Sequence, residues 1–177
     1  MIITISGTAG SGKSTLAKLL ANKLGYKHYS MGDFQRVIAK EKGISITELG
    51  ELEKKDDAID RMVDEKQKKL GQLEDNFVID AWLSPLFIPH SFKVFLDADL
   101  KTRAKRIAKK RQAESYDKIE DAMNAIQQRE KTNRERWLRY YKYDFKDKNN
   151  YDLIVDSSDK SINVTLNLVF NKVKKVT

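Results

Sequence analysis

Within the first fifteen positions, Gly7, Gly12, Lys13 and Ser14 complete the pattern G-x-x-x-x-G-K-[ST]. No other feature limits the fold of this chain so strongly. A short β-branched run, Ile2–Ile5, precedes the motif, and Leu16, Leu19, Leu20 and Leu24 follow at helical spacing. Strand, glycine loop and helix, in that order, make a phosphate-binding loop. Between strand and helix the chain must reverse while leaving backbone N–H groups free. Gly7, Gly10 and Gly12 permit conformations that a Cβ resists, and they let an anion approach closely. The N–H groups from Gly10 to Thr15 converge on one point, reinforced by the positive end of the helix. The candidate nucleotide contacts are therefore Gly7, Thr8, Ala9, Gly10, Ser11, Gly12, Lys13, Ser14 and Thr15. Lys13 adds a charge at the β/γ phosphates, and Ser14 places a hydroxyl where Mg²⁺ would sit. The motif implies a nucleoside triphosphate without naming an acceptor. Phosphoryl transfer, simple hydrolysis and a GTPase-like switch all stay open.

A chain of 177 residues fits one α/β domain with a full core. Eight glycines and two prolines leave little room for linkers. There is no cysteine, which excludes a disulfide framework and a cysteine-ligated zinc site. No apolar stretch approaches membrane-spanning length, and the N-terminal apolar run is too short for a signal peptide. A soluble, cytoplasmic protein is expected. The net charge of +8 suits either a nucleic-acid binder or a site gathering the negative charge of two nucleotides. Many basic residues are interleaved with acids, as in Glu51–Asp57, which is the pattern of a solvated face. Small anionic substrates are favoured over nucleic acid, no membrane is implied, and a monomer is expected.

Five β-prone runs alternate with helical stretches: Ile2–Ile5, Lys27–Tyr29, Phe77–Asp80, Phe92–Leu96 and Leu153–Val155. The periodicity predicts helices over 12–24, 32–42, 46–70 with a break, 100–112, 116–141 and 160–175. Ser45 with Glu48 reads as a capping box. Alternation of this kind implies a parallel sheet covered on both faces, with ligands at the carboxyl ends of its strands. Asp80, which ends the third run, is then a candidate for the Mg²⁺ shell beside Ser14. Asp33 and Arg36 open the helix after the second run and are neighbours on one face.

Along the long helix, Ala122, Ala125, Ile126, Trp137 and Tyr140 form one apolar sector at 100° per residue. Arg129, Asn133 and Arg136 fall inside it, whereas Glu130, Arg134 and Glu135 point away. Arginines on a core-facing stripe are costly unless an anion meets them. A buried salt bridge would serve, and so would a substrate phosphate, which guanidinium forks match well. Arg111 shares the azimuth of Leu100, Ala104, Ile107 and Ala108 at the end of the preceding helix. A basic segment between two helices, attached to such a core, suggests a closing lid.

The ordered set Gly7–Thr15, Lys27–Arg36, Ile59–Arg61, Val94–Ala98, Arg103–Ile107, Gln128–Glu130 and Tyr151–Ser157 resembles the nucleoside monophosphate kinases. The likeness is strongest to the short archaeal type of cytidylate kinase and runs through nearly the whole chain. It implies a three-layer α/β/α P-loop NTPase fold with a five-stranded parallel sheet. It implies one domain over 1–177, with an acceptor-binding helical segment at about 37–70 and a lid at about 109–130. The activity it implies is ATP- and Mg²⁺-dependent phosphorylation of CMP or dCMP by in-line transfer. Lys13 would hold ATP phosphates and Arg36 the acceptor phosphate. Arg129, Arg136 and Arg111 would act as acceptor-phosphate and lid arginines, with Asp33, Asp80, Trp82 and Asn133 around the acceptor. There is one marked departure: the chain reads Asp80-Ala81-Trp82-Leu83 where the family usually has an acid, a glycine and an arginine. Asn133 likewise stands where an acid is common. Trp82 would stack on a base or fill space. Another acceptor, such as AMP or UMP, is the alternative reading. An RNA- or ribosome-associated module with weak ATPase activity is a more distant one.

Overall fold

The first β-branched run forms β1 (Ile2–Gly7), buried along its whole length, because parallel strands covered on both faces take continuous apolar sequence. The computed structural model describes residues 1–110 and 118–176, apart from the side chains of Thr47, Lys54, Lys55 and Lys110. The remaining strands are β2 (Lys27–Ser30), β3 (Phe77–Asp80), β4 (Phe92–Asp97) and β5 (Leu153–Asp156). All are parallel in the order β2-β3-β1-β4-β5. The register sets Ser30 beside Asp80, Asp80 beside Ile5, and Gly7 beside Leu96. The carboxyl ends of the strands therefore carry Ser30, Asp80, Gly7 and Asp97 in a row.

The helices are α1 (Lys13–Leu24), α2 (Met31–Glu41), α3 (Ile46–Lys55), α4 (Ala58–Leu73), α5 (Ser84–Phe87), α6 (Leu100–Lys110), α7 (Ile119–Tyr141) and α8 (Ile162–Lys174). On one face of the sheet, Ile3, Ile5, Val78, Val94 and Leu96 pack under Leu16 and Leu20 of α1 and Val169 of α8. On the other face, Ile2, Phe77 and Ile79 meet Met31 of α2, Val63 of α4 and Ile88. The result is a three-layer α/β/α P-loop fold, as the alternation of elements implies. The Ser45–Glu48 capping box forms with both of its hydrogen bonds. The single turn of α5, with Pro85 in its first turn, falls in a stretch given no element from sequence, because four residues carry no periodicity.

The predicted sector of α7 needs a correction. Ala122, Ile126 and Trp137 are buried as expected, but Tyr140 is exposed and Glu130 is buried. The buried stripe, Ala122, Ile126, Glu130, Arg136 and Trp137, is rotated about 20° toward Glu130 relative to the sequence reading. The physical cause is the packing of α7 on α6, where Arg103 receives the Glu130 carboxylate at 2.6 Å.

Candidate active site

The phosphate-binding loop is shaped by what a side chain would strike. A Cβ on Gly7 would lie 1.9 Å from the Leu96 carbonyl oxygen, so only glycine lets β1 leave the sheet beside β4. Gly10 sits with φ +81° against the backbone of Arg103, 2.8 Å from where its Cβ would be. Gly12, at φ +101°, caps α1 without a side-chain hydrogen bond. The first-turn N–H groups of α1 are thus left for an anion. Lys13 Nζ donates to the Thr8 carbonyl at 2.7 Å and lies 5.3 Å above the Trp82 ring. Burial pushes the Lys13 ammonium down to about 8, with the Asp80 charge opposing.

Asp80 is a hydrogen-bond hub at the end of β3. Ser14 Oγ donates to its Oδ2 at 2.6 Å, Ser30 Oγ donates to the same oxygen at 3.2 Å, and His28 Nε2 lies 2.8 Å from Oδ1. Two strands, β2 and β3, and the start of α1 thereby fix one carboxylate. A Ser hydroxyl touching a carboxylate at a phosphate loop is a hard oxygen pair of the kind Mg²⁺ takes. Among the described residues no group of three or more His, Asp or Glu converges as a metal cage.

Sequence reasoning missed three residues that brace the loop. Arg103 Nη1 donates to the Ala9 carbonyl at 3.3 Å and to Glu130 at 2.6 Å. Glu130 also accepts from Ala9 N–H at 2.9 Å and from Lys146 Nζ at 2.7 Å. Arg106 donates to the Ser11 carbonyl and to Ser157 Oγ, each at 3.0 Å, and to the Ser157 carbonyl at 2.7 Å. The repeated basic spacing on α6 was the available signal. It reads as a solvated edge until the loop is seen to pack against it.

One cavity of about 600 Å³ runs from this loop to α4. Arg36, Arg129, Asp80 and Trp82 line it, as the sequence suggested. Asp33 and Asn133 are not among the lining residues; Asp33 is instead ion-paired to Arg36 at the surface. Arg111 lies outside the described residues. Arg136 requires a correction: it does not line the cavity. It is 5% exposed and held by Glu53 of α3 at 3.3 Å and Asp60 of α4 at 3.2 Å. The anion that compensates this core-facing arginine is a pair of side chains, so the buried salt bridge is realised here. Desolvation raises Asp60 to about 7, with the Arg136 charge opposing and the Glu53 and Asp64 carboxylates adding to the rise. Asp64 is raised to about 6, again chiefly by burial, while the Tyr141 hydroxyl donates to it at 2.5 Å.

With the loop, the Asp80 hub and the second half of the cavity in place, comparison with known proteins is informative. The model of the cytidylate kinase-like family matches residues 2–159. The chain belongs to this family. The cytidylate kinase of Natronomonas pharaonis is 39% identical over 160 residues, spanning 89% of this chain and 81% of that protein. The cytidylate kinase of Pyrococcus abyssi is 38% identical over 159 residues, spanning 89% and 85%. Among solved structures, the shikimate kinase of Bacteroides thetaiotaomicron superposes with a TM-score of 0.67 at 17% identity, covering 98% of each chain. That of Aquifex aeolicus gives 0.61 at 19%, covering 99% of this chain and 97% of its own. At such identities these two likenesses show the fold.

In this chain Trp82 is a packing residue and a cation platform. Its ring meets Phe145 at 4.8 Å and Trp137 at 5.2 Å. The Arg129 guanidinium lies 5.9 Å from the ring on the cavity side. An arginine at this position would add a third cation beside Lys13 and Arg129, whereas the indole face attracts the two already there.

Proposed function

We propose that this protein transfers the γ-phosphoryl group of ATP to the phosphate of CMP or dCMP, giving the diphosphate. The supporting observation is one continuous cavity with a complete triphosphate loop at one end and a buried polar face of α4 at the other. In this reading the loop from Gly7 to Thr15 holds the ATP phosphates, and Lys13 exchanges the Thr8 carbonyl for a phosphate oxygen. Arg36 holds the acceptor phosphate. Arg129 neutralises the charge that develops on the transferring group. Arg136 acts indirectly, by fixing α3 and α4 against α7. Ser14 and Asp80 would hold Mg²⁺, which when bound neutralises the phosphates between donor and acceptor. Catalysis is then mainly positioning and charge neutralisation, with the acceptor oxygen in line with the bond that breaks. The segment at about 37–70 carries the acceptor and the segment at about 109–130 covers the site, in a monomer acting in the cytoplasm. No described helix is long and apolar enough to cross a membrane.

A panel of nucleoside monophosphates with Mg-ATP tests this directly. ADP should form fastest with CMP or dCMP and only slowly without an acceptor. Turnover fastest with AMP, or ATP hydrolysis indifferent to every acceptor, would overturn the reading.

A further inference from the structure

Asp60, Asp64 and Gln67 lie within about 60° of one another on α4, and all three are buried. A helix face turned into a protein normally carries apolar residues at these spacings; here it carries two carboxyls and an amide, with Val63 at its edge. All four residues line the cavity. Asp60 is spent on Arg136. Asp64 and Gln67 are fixed differently. Gln67 is 1% exposed and accepts a hydrogen bond from Ser84 Oγ on its Oε1 at 2.7 Å. That bond directs the other end of the amide, its NH₂, into the cavity, where it has no partner among the described residues. Tyr141 donates to Oδ2 of Asp64, which fixes the carboxyl group. Leu83 and Trp137, which also line the cavity, supply flat apolar surface.

A buried amide donor beside a buried carboxylate acceptor, between apolar walls, has the pattern of a reader of a planar heterocycle edge. We infer that Asp64 and Gln67 select the acceptor base, the Asp64 carboxylate accepting from the exocyclic N4 amine of cytosine and the Gln67 amide donating to N3. This assignment rests on the acceptor being a pyrimidine nucleotide. Uracil inverts both positions, since it offers a carbonyl oxygen at C4 and an N–H at N3. It would set O4 against a carboxylate and N–H against N–H, losing both bonds and leaving buried groups unpaired. Ser84 and Tyr141 are positioning residues that hold the two readers in orientation.

The test reverses the pattern. Asp64→Asn offers an N–H toward O4, and Gln67→Glu offers an acceptor toward N3–H while still accepting from Ser84. The ratio of kcat/KM for CMP to that for UMP is measured in the wild type, both single variants and the double variant, with ATP affinity and thermal midpoint as checks of folding. Each single change should lower the ratio roughly 10- to 100-fold, and the double variant should favour UMP. Equal losses for CMP and UMP, with ATP affinity kept, would overturn the assignment while leaving the kinase reading intact. If the double variant fails to fold, the Asp64→Asn ratio decides alone: an unchanged ratio overturns the proposal. A wild type that uses neither pyrimidine nucleotide would instead sink the reading on which the inference rests.

Discussion

The two ends of the cavity settle their charges in opposite ways. At the phosphate end, backbone N–H groups and Lys13 gather positive potential that the protein leaves for a ligand to neutralise. Among the described residues the Lys13 ammonium meets a carbonyl oxygen and the Trp82 ring, and no carboxylate forms an ion pair with it. At the α4 end, Glu53, Asp60 and Asp64 crowd around the guanidinium of Arg136, so the charge there is met by the protein's own side chains. The first end is built to bind charge. The second is built to hold a shape, and to present a few fixed hydrogen-bonding atoms within it.

Removing the defining cation from each end should therefore have different consequences. The largest effect belongs to Lys13→Ala, which should lower kcat by ~10³-fold with every acceptor and leave the unfolding midpoint nearly unchanged, as steady-state kinetics and urea titration would show. Arg136→Ala should behave oppositely. It leaves Glu53 and Asp60 buried without their cation and should cost about 3–5 kcal/mol of stability. A variant that kept the wild-type urea midpoint would show that the α4 end is not held by this arginine.

Arg36→Ala should fall between the two. Losing one charge-assisted contact to the acceptor phosphate, worth about 1.5–3 kcal/mol, should raise the acceptor KM roughly 10- to 100-fold. The KM for ATP should stay within about twofold. Equal changes in both constants would break the division of the cavity into donor and acceptor ends.

The remaining effect is a pH dependence, which acts on stability and not on turnover. Burial holds Asp60 at about 7 and Asp64 at about 6, above the value of about 3.9 for an aspartate in an unfolded chain. The folded state therefore binds these protons more tightly. The stability contribution is full below the unfolded value and is lost as pH climbs through the folded ones. Asp60→Asn should flatten the decline in urea midpoint between about pH 4 and 7. An identical decline in the variant would remove Asp60 from the account.

The donor end was legible in the sequence because its function is written in backbone geometry. Gly7, Gly10 and Gly12 are demanded by close approaches and positive φ, and Lys13 and Ser14 follow at fixed spacing. The central strands β1, β3 and β4 were legible for a related reason, since buried parallel strands show as short apolar runs, whereas the edge strand β2, Lys27–Ser30, is largely unburied and shows only weakly. The acceptor end was not legible, because its residues come from α3, α4, α5 and α7 and acquire meaning only on meeting. Arg136 looked like a phosphate ligand until Glu53 and Asp60 were found against it. Gln67 carries no signal of its own in the sequence, because what fixes its amide is Ser84, which lies 17 positions away. Glu130 lies only some 80° from Ala122 around α7, so a modest rotation of the helix carried it from solvent to the phosphate loop. Helical azimuth alone does not resolve a difference of that size.

The central claim is that both ends serve one reaction, with the phosphoryl group passing directly from ATP to a bound acceptor. A single turnover with γ-labelled ATP, Mg²⁺ and CMP tests this most closely. The label should appear in CDP at the rate at which ATP disappears, and little inorganic phosphate should be released. Label released as inorganic phosphate at the same rate with and without CMP would contradict the account.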